Sequence, residues 1–174
     1  MNHGSLFLLS FFLSIVYNGH LPDEVEVFLC MPVEPSGQWG QLSANTLAFV
    51  GDAVFALYIR ERLTRKSSGT AHRLHNLSTR YVKASAQARI VLSIVDELDE
   101  EEHAVFKRGR NAKTVTMPKN AEMQDYRHAT GFEAVLGFLH LSGRIERLNA
   151  LLDRAAAIIE SESPDGNRPC GTGD

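Results

Sequence analysis

Residues 47–63, LAFVGDAVFALYIRERL, read as one helix that is apolar almost all round and carries a single acid near its start, Asp52. Side chains meet on a helix when they lie three or four positions apart. Around Asp52 those positions hold Ala48, Phe49, Phe55 and Ala56, none of which can neutralise or hydrogen-bond a carboxylate. An acid packed into a helical layer has to be paired, bound to a metal or protonated, because a bare buried charge is strongly unfavourable. The partner of Asp52 must therefore come from elsewhere in the fold. ATGFEAVLGFLHLSG, residues 129–143, sets the same problem: its one acid, Glu133, has Ala129, Thr130, Leu136 and Gly137 as helical neighbours. Two acids without local partners either reach arginines on other helices or share a divalent cation, and spacing alone leaves both readings open.

Outward from these two segments the pattern is helical throughout. A chain of 174 residues holds one domain with a real core, and no strand-like alternation interrupts it. Ser43 or Asn45 can cap the first long helix, which is expected to run to about Thr64. After the turn RKSSG, a short helix is expected over TAHRLHNLS. A longer one follows over TRYVKASAQARIVLSIVDEL, with Tyr81, Ala84, Ala88, Val91 and Val95 at helical spacing. The acidic run from Asp99 suits the positive end of a helix dipole, and that helix stops near Gly109. NAKTVTMPKN reads as a link. The helix bearing Glu133 closes at LSGR, and the amphipathic IERLNALLDRAAAII is the last.

The expected organisation is a poorly ordered or spurious extension over residues 1–40, an all-α domain over 41–160 and a disordered tail over 161–174. LFLLSFFLSIV, residues 6–16, has the length of a signal-peptide core. It has no preceding Lys or Arg and no small-x-small site after it. It is too short for a normal membrane span, so no stable membrane association is expected, and Met31 is an alternative start. Cys30 and Cys170 have no second ligand spaced for a zinc site and read as free thiols in a reducing compartment.

The net charge of -3 argues against a generally basic nucleic-acid binder, but it averages over an asymmetry. KRGRNAKTVTMPK, residues 107–119, contains no acid and suits phosphate contacts. Hard cations such as magnesium need only one or two carboxylates plus substrate phosphate. Asp52 and Glu133 with this basic segment therefore suit a phosphodiester-cleaving site. His72 and His75 share a helical face but lack a third ligand and read as surface residues, and Tyr126 reads as core.

LAFVGDAVFALYIRE, KRGRNAK, PKNAEMQDYRHATGFEA and GFEAVLGFLHLSG, in this order, resemble the catalytic domain of the ribonuclease III family, specifically its Mini-ribonuclease III type, over roughly Leu42 to Leu152. The resemblance implies a ribonuclease III-like helical domain with Asp52 and Glu133 as the catalytic, metal-binding pair and Mg2+ as the cofactor. It implies a homodimer whose two centres flank a valley for duplex RNA. It also implies maturation of large-subunit (23S) ribosomal RNA precursor to 5′-phosphate and 3′-hydroxyl ends. RNA contacts are expected at Lys107, Arg108, Arg110, Asn111, Lys113, Lys119 and Arg127, and close backbone approaches at Gly51 and Gly137. A ribosomal protein assisting substrate presentation fits the same reading. So does a bacterial cytoplasm or an organelle of bacterial origin. Ordinary ribonuclease III has acids four residues before the aspartate and three before the glutamate, where this chain has Ala48 and Thr130. It also carries a separate double-stranded RNA-binding domain, for which nothing is seen after the final helix, and both departures resemble the Mini type. Two other readings compete. An RNA-binding protein of this fold without catalysis is disfavoured by the retention of both acids. A helical phosphohydrolase of small nucleotides is disfavoured by the absence of any His-Asp dipeptide.

Overall fold

Ser43 turns the chain into the first long helix: its side chain accepts the backbone N–H of Thr46, one of the donors a helix start leaves unpaired, and α1 runs over Ala44–Lys66. The computed structural model describes residues 39–113 and 122–162. The chain divides into units 1–32 and 33–174, and every described residue lies in the second. The expectations for the N-terminal segment before residue 39, for Lys119, for the tail beyond residue 162 and for both cysteines fall outside the described residues. After α1 come α2 (Ala71–Val82), α3 (Ala84–Ile94), a 3-10 turn (Val95–Glu97), α4 (Glu100–Arg110), α5 (Met123–Leu141) and α6 (Ile145–Ser161). The described residues contain no strand, as the all-α expectation requires.

The helix bearing Glu133 follows the link expected to end at Asn120 and starts at Met123. One boundary differs from expectation. The break in the 71–97 region falls at Lys83, not near Ser78, because Lys83 is extended (φ -68°, ψ 146°). The carbonyl of Val82 is satisfied there by the side-chain amide of Gln87 (3.1 Å), so the chain can leave the helix without stranding that polar group.

α5 is the central element. It packs against α1, α3 and α4 and touches α6, and Phe132, Val135, Leu136 and Leu139 are all buried. A helix that is apolar all round belongs in such a position. The acidic run at the start of α4 does more than meet a dipole. Asp99 and Glu102 form a reciprocal capping box, each carboxylate accepting the other's backbone N–H. Glu102 is fully buried and also receives both Nε and Nη2 of Arg147 at 2.8 Å, which ties α4 to α6. Arg144 pairs with Glu101 alongside.

Candidate active site

The crossing of α1 over α5 is set by glycine. A Cβ on Gly51 would run into the carbonyl oxygen of Glu133, and one on Gly137 into that of Leu47, so the two backbones are in contact, closer than side chains usually allow. One turn along, Phe55 meets Phe132 edge-on, with centroids 5.3 Å apart and rings at 86°, which fixes the rotation of the pair. Asp52 follows Gly51, and Glu133 lies one turn before Gly137. The crossing therefore sets both carboxylates on the wall of one open pocket of about 360 Å3.

The sequence places Asp52 inside a packed layer; the structure exposes it. α1 is apolar on both sides, but only one side is covered. Leu47, Phe55 and Ile59 are fully buried, whereas Phe49 is 81 % exposed and Leu57 45 %. Glu133 is half-buried, and its pKa is pushed up from 4.5 to about 8. Burial is the larger cause and the nearby Asp52 carboxylate the second, with a hydrogen bond from Gln87 acting in the opposite direction. The salt bridges among the described residues join other acids, so neither member of the pair is neutralised by an arginine. Of the two readings left open by spacing, the arginine partner is thus excluded within the described residues.

Two carboxyl side chains on the wall of one pocket, both hard oxygen donors, suit a divalent cation, which would favour ionisation of both. No third His, Cys, Asp or Glu among the described residues joins them as a ligand cluster, so water and a substrate phosphate would complete the shell. Ala48 and Thr130 line the same pocket and add no carboxylate; the Thr130 hydroxyl is already donated to the Tyr126 carbonyl at 3.0 Å.

The remaining expected contacts divide by position. Lys113 and Arg127 line the pocket beside the acids, and both are exposed. Asn45 on α1 donates to the Lys113 carbonyl (3.4 Å), which draws the segment after α4 towards the site. Lys107 and Arg108 are exposed on the last turn of α4, and Asn111 is exposed at its cap; none of the three is part of the pocket wall. Arg110 is half-buried, its guanidinium 5.9 Å from the centre of the Phe106 ring. Tyr126, expected in the core, is half-buried and lines the pocket, because it lies in the first turn of α5, before the packed stretch that begins at His128. His72 and His75 are exposed, as expected. Sequence reasoning missed Gln87, a side chain 1 % exposed that donates to the Val82 carbonyl and holds the Glu133 pKa down. The only signal was a lone amide amid Ala86, Ala88, Ile90 and Val91.

The sequence model of the Ribonuclease III domain matches residues 45–144. The chain is similar to the Mini-ribonuclease 3 of Thermoanaerobacter sp. (strain X514), 49 % identical over 119 residues that make up 68 % of this chain and 84 % of that protein. It is 46 % identical over 121 residues to the Mini-ribonuclease 3 of Streptococcus pneumoniae (strain ATCC BAA-255 / R6), covering 68 % of this chain and 94 % of that one. The crystal structure of protein FN1578 from Fusobacterium nucleatum is similar with a TM-score of 0.62 and 29 % identity, over 71 % of this chain and 96 % of that chain. Among the described residues, no helix is long and apolar enough to cross a membrane.

Proposed function

From the premise that the chain belongs to the ribonuclease III family, in its Mini-ribonuclease III type, and is an endoribonuclease, we propose that it matures 23S ribosomal RNA precursor by Mg2+-dependent cleavage of a duplex region. The observation that carries this reading is the pair Asp52 and Glu133, brought to one pocket by a backbone-to-backbone helix crossing and left without arginine partners among the described residues. Asp52 and Glu133 hold the ion. Such an ion, when bound, supplies charge neutralisation on a phosphodiester oxygen and a lowered pKa for water. Lys113 and Arg127, on the same wall, hold the phosphates flanking the scissile bond. Water adds to phosphorus and the 3′ oxygen leaves, giving 5′-phosphate and 3′-hydroxyl ends. Duplex RNA is read by shape, 2′-hydroxyl and phosphate contacts, so a site with cations and few base-reading groups suits it.

The same reading includes a homodimer. Phe49, Ala53 and Leu57 recur every fourth residue on the uncovered side of α1, and all three are exposed. An exposed apolar stripe beside an active site is the kind of surface a second copy covers. The work is done in the bacterial cytoplasm, with a ribosomal protein presenting the precursor.

The test is cleavage of a 23S precursor duplex by the full chain with Mg2+ or with chelator, beside Asp52→Asn and Glu133→Ala. Mg2+-dependent cutting at a fixed position, lost in both variants while duplex binding persists, is the expected result. Cutting that continues in either variant would remove the pair from catalysis.

A further inference from the structure

The pocket wall carries three kinds of charged or hydroxyl group, sorted by what each can exchange in a hydrogen bond. Asp52 and Glu133, once ionised, only accept, and Lys113 and Arg127 only donate. The third kind is a hydroxyl, which donates and accepts through one oxygen, and the wall has two, on Thr130 and Tyr126. The Thr130 hydroxyl donates its proton to the Tyr126 carbonyl at 3.0 Å. The Tyr126 hydroxyl has no hydrogen-bond partner among the described residues. A half-buried phenol on the wall of an open pocket therefore keeps its full capacity to donate and accept.

Tyr126, Thr130 and Glu133 follow one another at intervals of four and three residues, so they share one face of α5. At about 1.5 Å per residue, Tyr126 stands about 10 Å from Glu133 along the helix axis. A helical side chain leans towards the N-terminus of its helix, here away from Glu133. Its hydroxyl is thus set to meet a strand beside the scissile nucleotide and not at it. Ala48, Gly109 and Ala112 on the same wall have little or no side chain and keep the pocket open.

Given a duplex RNA substrate, the reading on which this rests, we propose that Tyr126 is a specificity-determining residue whose hydroxyl binds a ribose 2′-hydroxyl flanking the cleaved bond. A 2′-hydroxyl both donates and accepts, and it is the group that separates RNA from DNA. A hydroxyl free to do both matches it, whereas the carboxylates suit a cation and the basic side chains suit phosphate. The minor groove of A-form RNA is wide and shallow and displays its 2′-hydroxyls, so a side chain on an open wall reaches one without unpairing bases.

The test is a double-mutant cycle between protein and RNA. The full chain and Tyr126→Phe, which keeps the ring and removes only the hydroxyl, are given a 23S precursor duplex with Mg2+. Both are also given the same duplex with single 2′-deoxy substitutions walked across the cut. One hydrogen bond corresponds to about 3- to 10-fold. At one flanking position the deoxy substitution should lower kcat/KM of the wild type by that factor. It should do nothing further to Tyr126→Phe, which already shows the loss on unmodified RNA. With chelator present, the preference for RNA over a DNA duplex of the same sequence should fall in the variant by the same factor for each Tyr126 engaged. Losses that multiply at every position would overturn the proposal, because the two hydroxyls would then act independently. So would a variant that loses RNA and DNA affinity equally, which would make Tyr126 a structural residue. A wild-type chain that neither cuts the duplex nor prefers RNA would instead refute the substrate reading, and this contact with it.

Discussion

Replacing Glu133 by glutamine should stabilise this protein, and increasingly so as the pH rises. The carboxyl is lifted from its ordinary 4.5 to about 8, by burial first and by Asp52 second. A group whose proton is held more tightly in the folded chain contributes fully to folding below pH 4.5, and that contribution is lost as the pH rises through about 8. At about 1.4 kcal/mol per pH unit, the span sets an upper limit of about 5 kcal/mol. Between about pH 5.5 and pH 9 the change amounts to about 3 kcal/mol by the same linkage. Glu133→Gln stays neutral throughout and keeps an acceptor for Gln87. The stability difference between variant and wild type should therefore climb towards the variant by about 1.4 kcal/mol per pH unit up to pH 8 and then level off. The assay is urea denaturation of both proteins across this range at one protein concentration, with chelator present. Other titrating groups cancel in the difference. If the ionised pair holds the ion as proposed, adding Mg2+ at pH 9 should restore the wild type much more than the variant. A difference that does not vary with pH would refute the claim that Glu133 is an uncompensated acid, and with it the electrostatic case for a cation.

Gly51→Ala should cost about 3 kcal/mol or more, seen as a collapse of the melting temperature, because its Cβ has only the backbone of α5 to displace. Leu57→Asp puts a charge on the exposed stripe of α1 outside the pocket wall; sedimentation should show monomer, and an unchanged dimer would place the interface elsewhere. Neutralising Lys107, Arg108 and Arg110 together should weaken duplex binding and lower the slope of log affinity against log salt by about three, one for each phosphate no longer neutralised. A slope that falls by only two would single out Arg110, which is half-buried against Phe106, as structural.

Local signals carried much of the architecture. Ser43 caps α1, Asp99 begins α4 and Gly143 follows the end of α5 with φ 71°, each a residue type whose chemistry marks a boundary. The break at Lys83 was not legible, because neither Gly nor Pro stands there and the helical spacing from Tyr81 to Val95 runs straight through it. The signal that does mark it is a side chain: Gln87, five residues on, satisfies the freed Val82 carbonyl. The identity of both acids was legible and their surroundings were not. Periodicity cannot separate a helix buried on all sides, such as α5, from one whose second apolar side awaits a partner, such as α1. Hence the apolar neighbours of Asp52 point to burial, although the residue is exposed.

The acid pair and the glycine contact are one feature, because the crossing that makes the contact also sets the carboxylates. The Gly51 position touches the carbonyl of Glu133 itself, and the Gly137 position touches Leu47, five residues before Asp52. A larger residue at either glycine would push α1 off α5 and separate Asp52 from Glu133 by the same movement. Packing and charge oppose each other at this crossing. Burial of Phe55, Phe132 and Leu47 draws the helices together, while two carboxylates on a shared wall push them apart once both are ionised. A protonated Glu133 relieves that repulsion at low pH, and on the proposed metal-site reading a divalent cation would relieve it at high pH. Proton and metal would then compete for one site, and metal affinity should weaken about tenfold for each pH unit below about 8. Mn2+ titrations at pH 6 and pH 8 that return the same constant would break the link between the helix crossing and the chemistry.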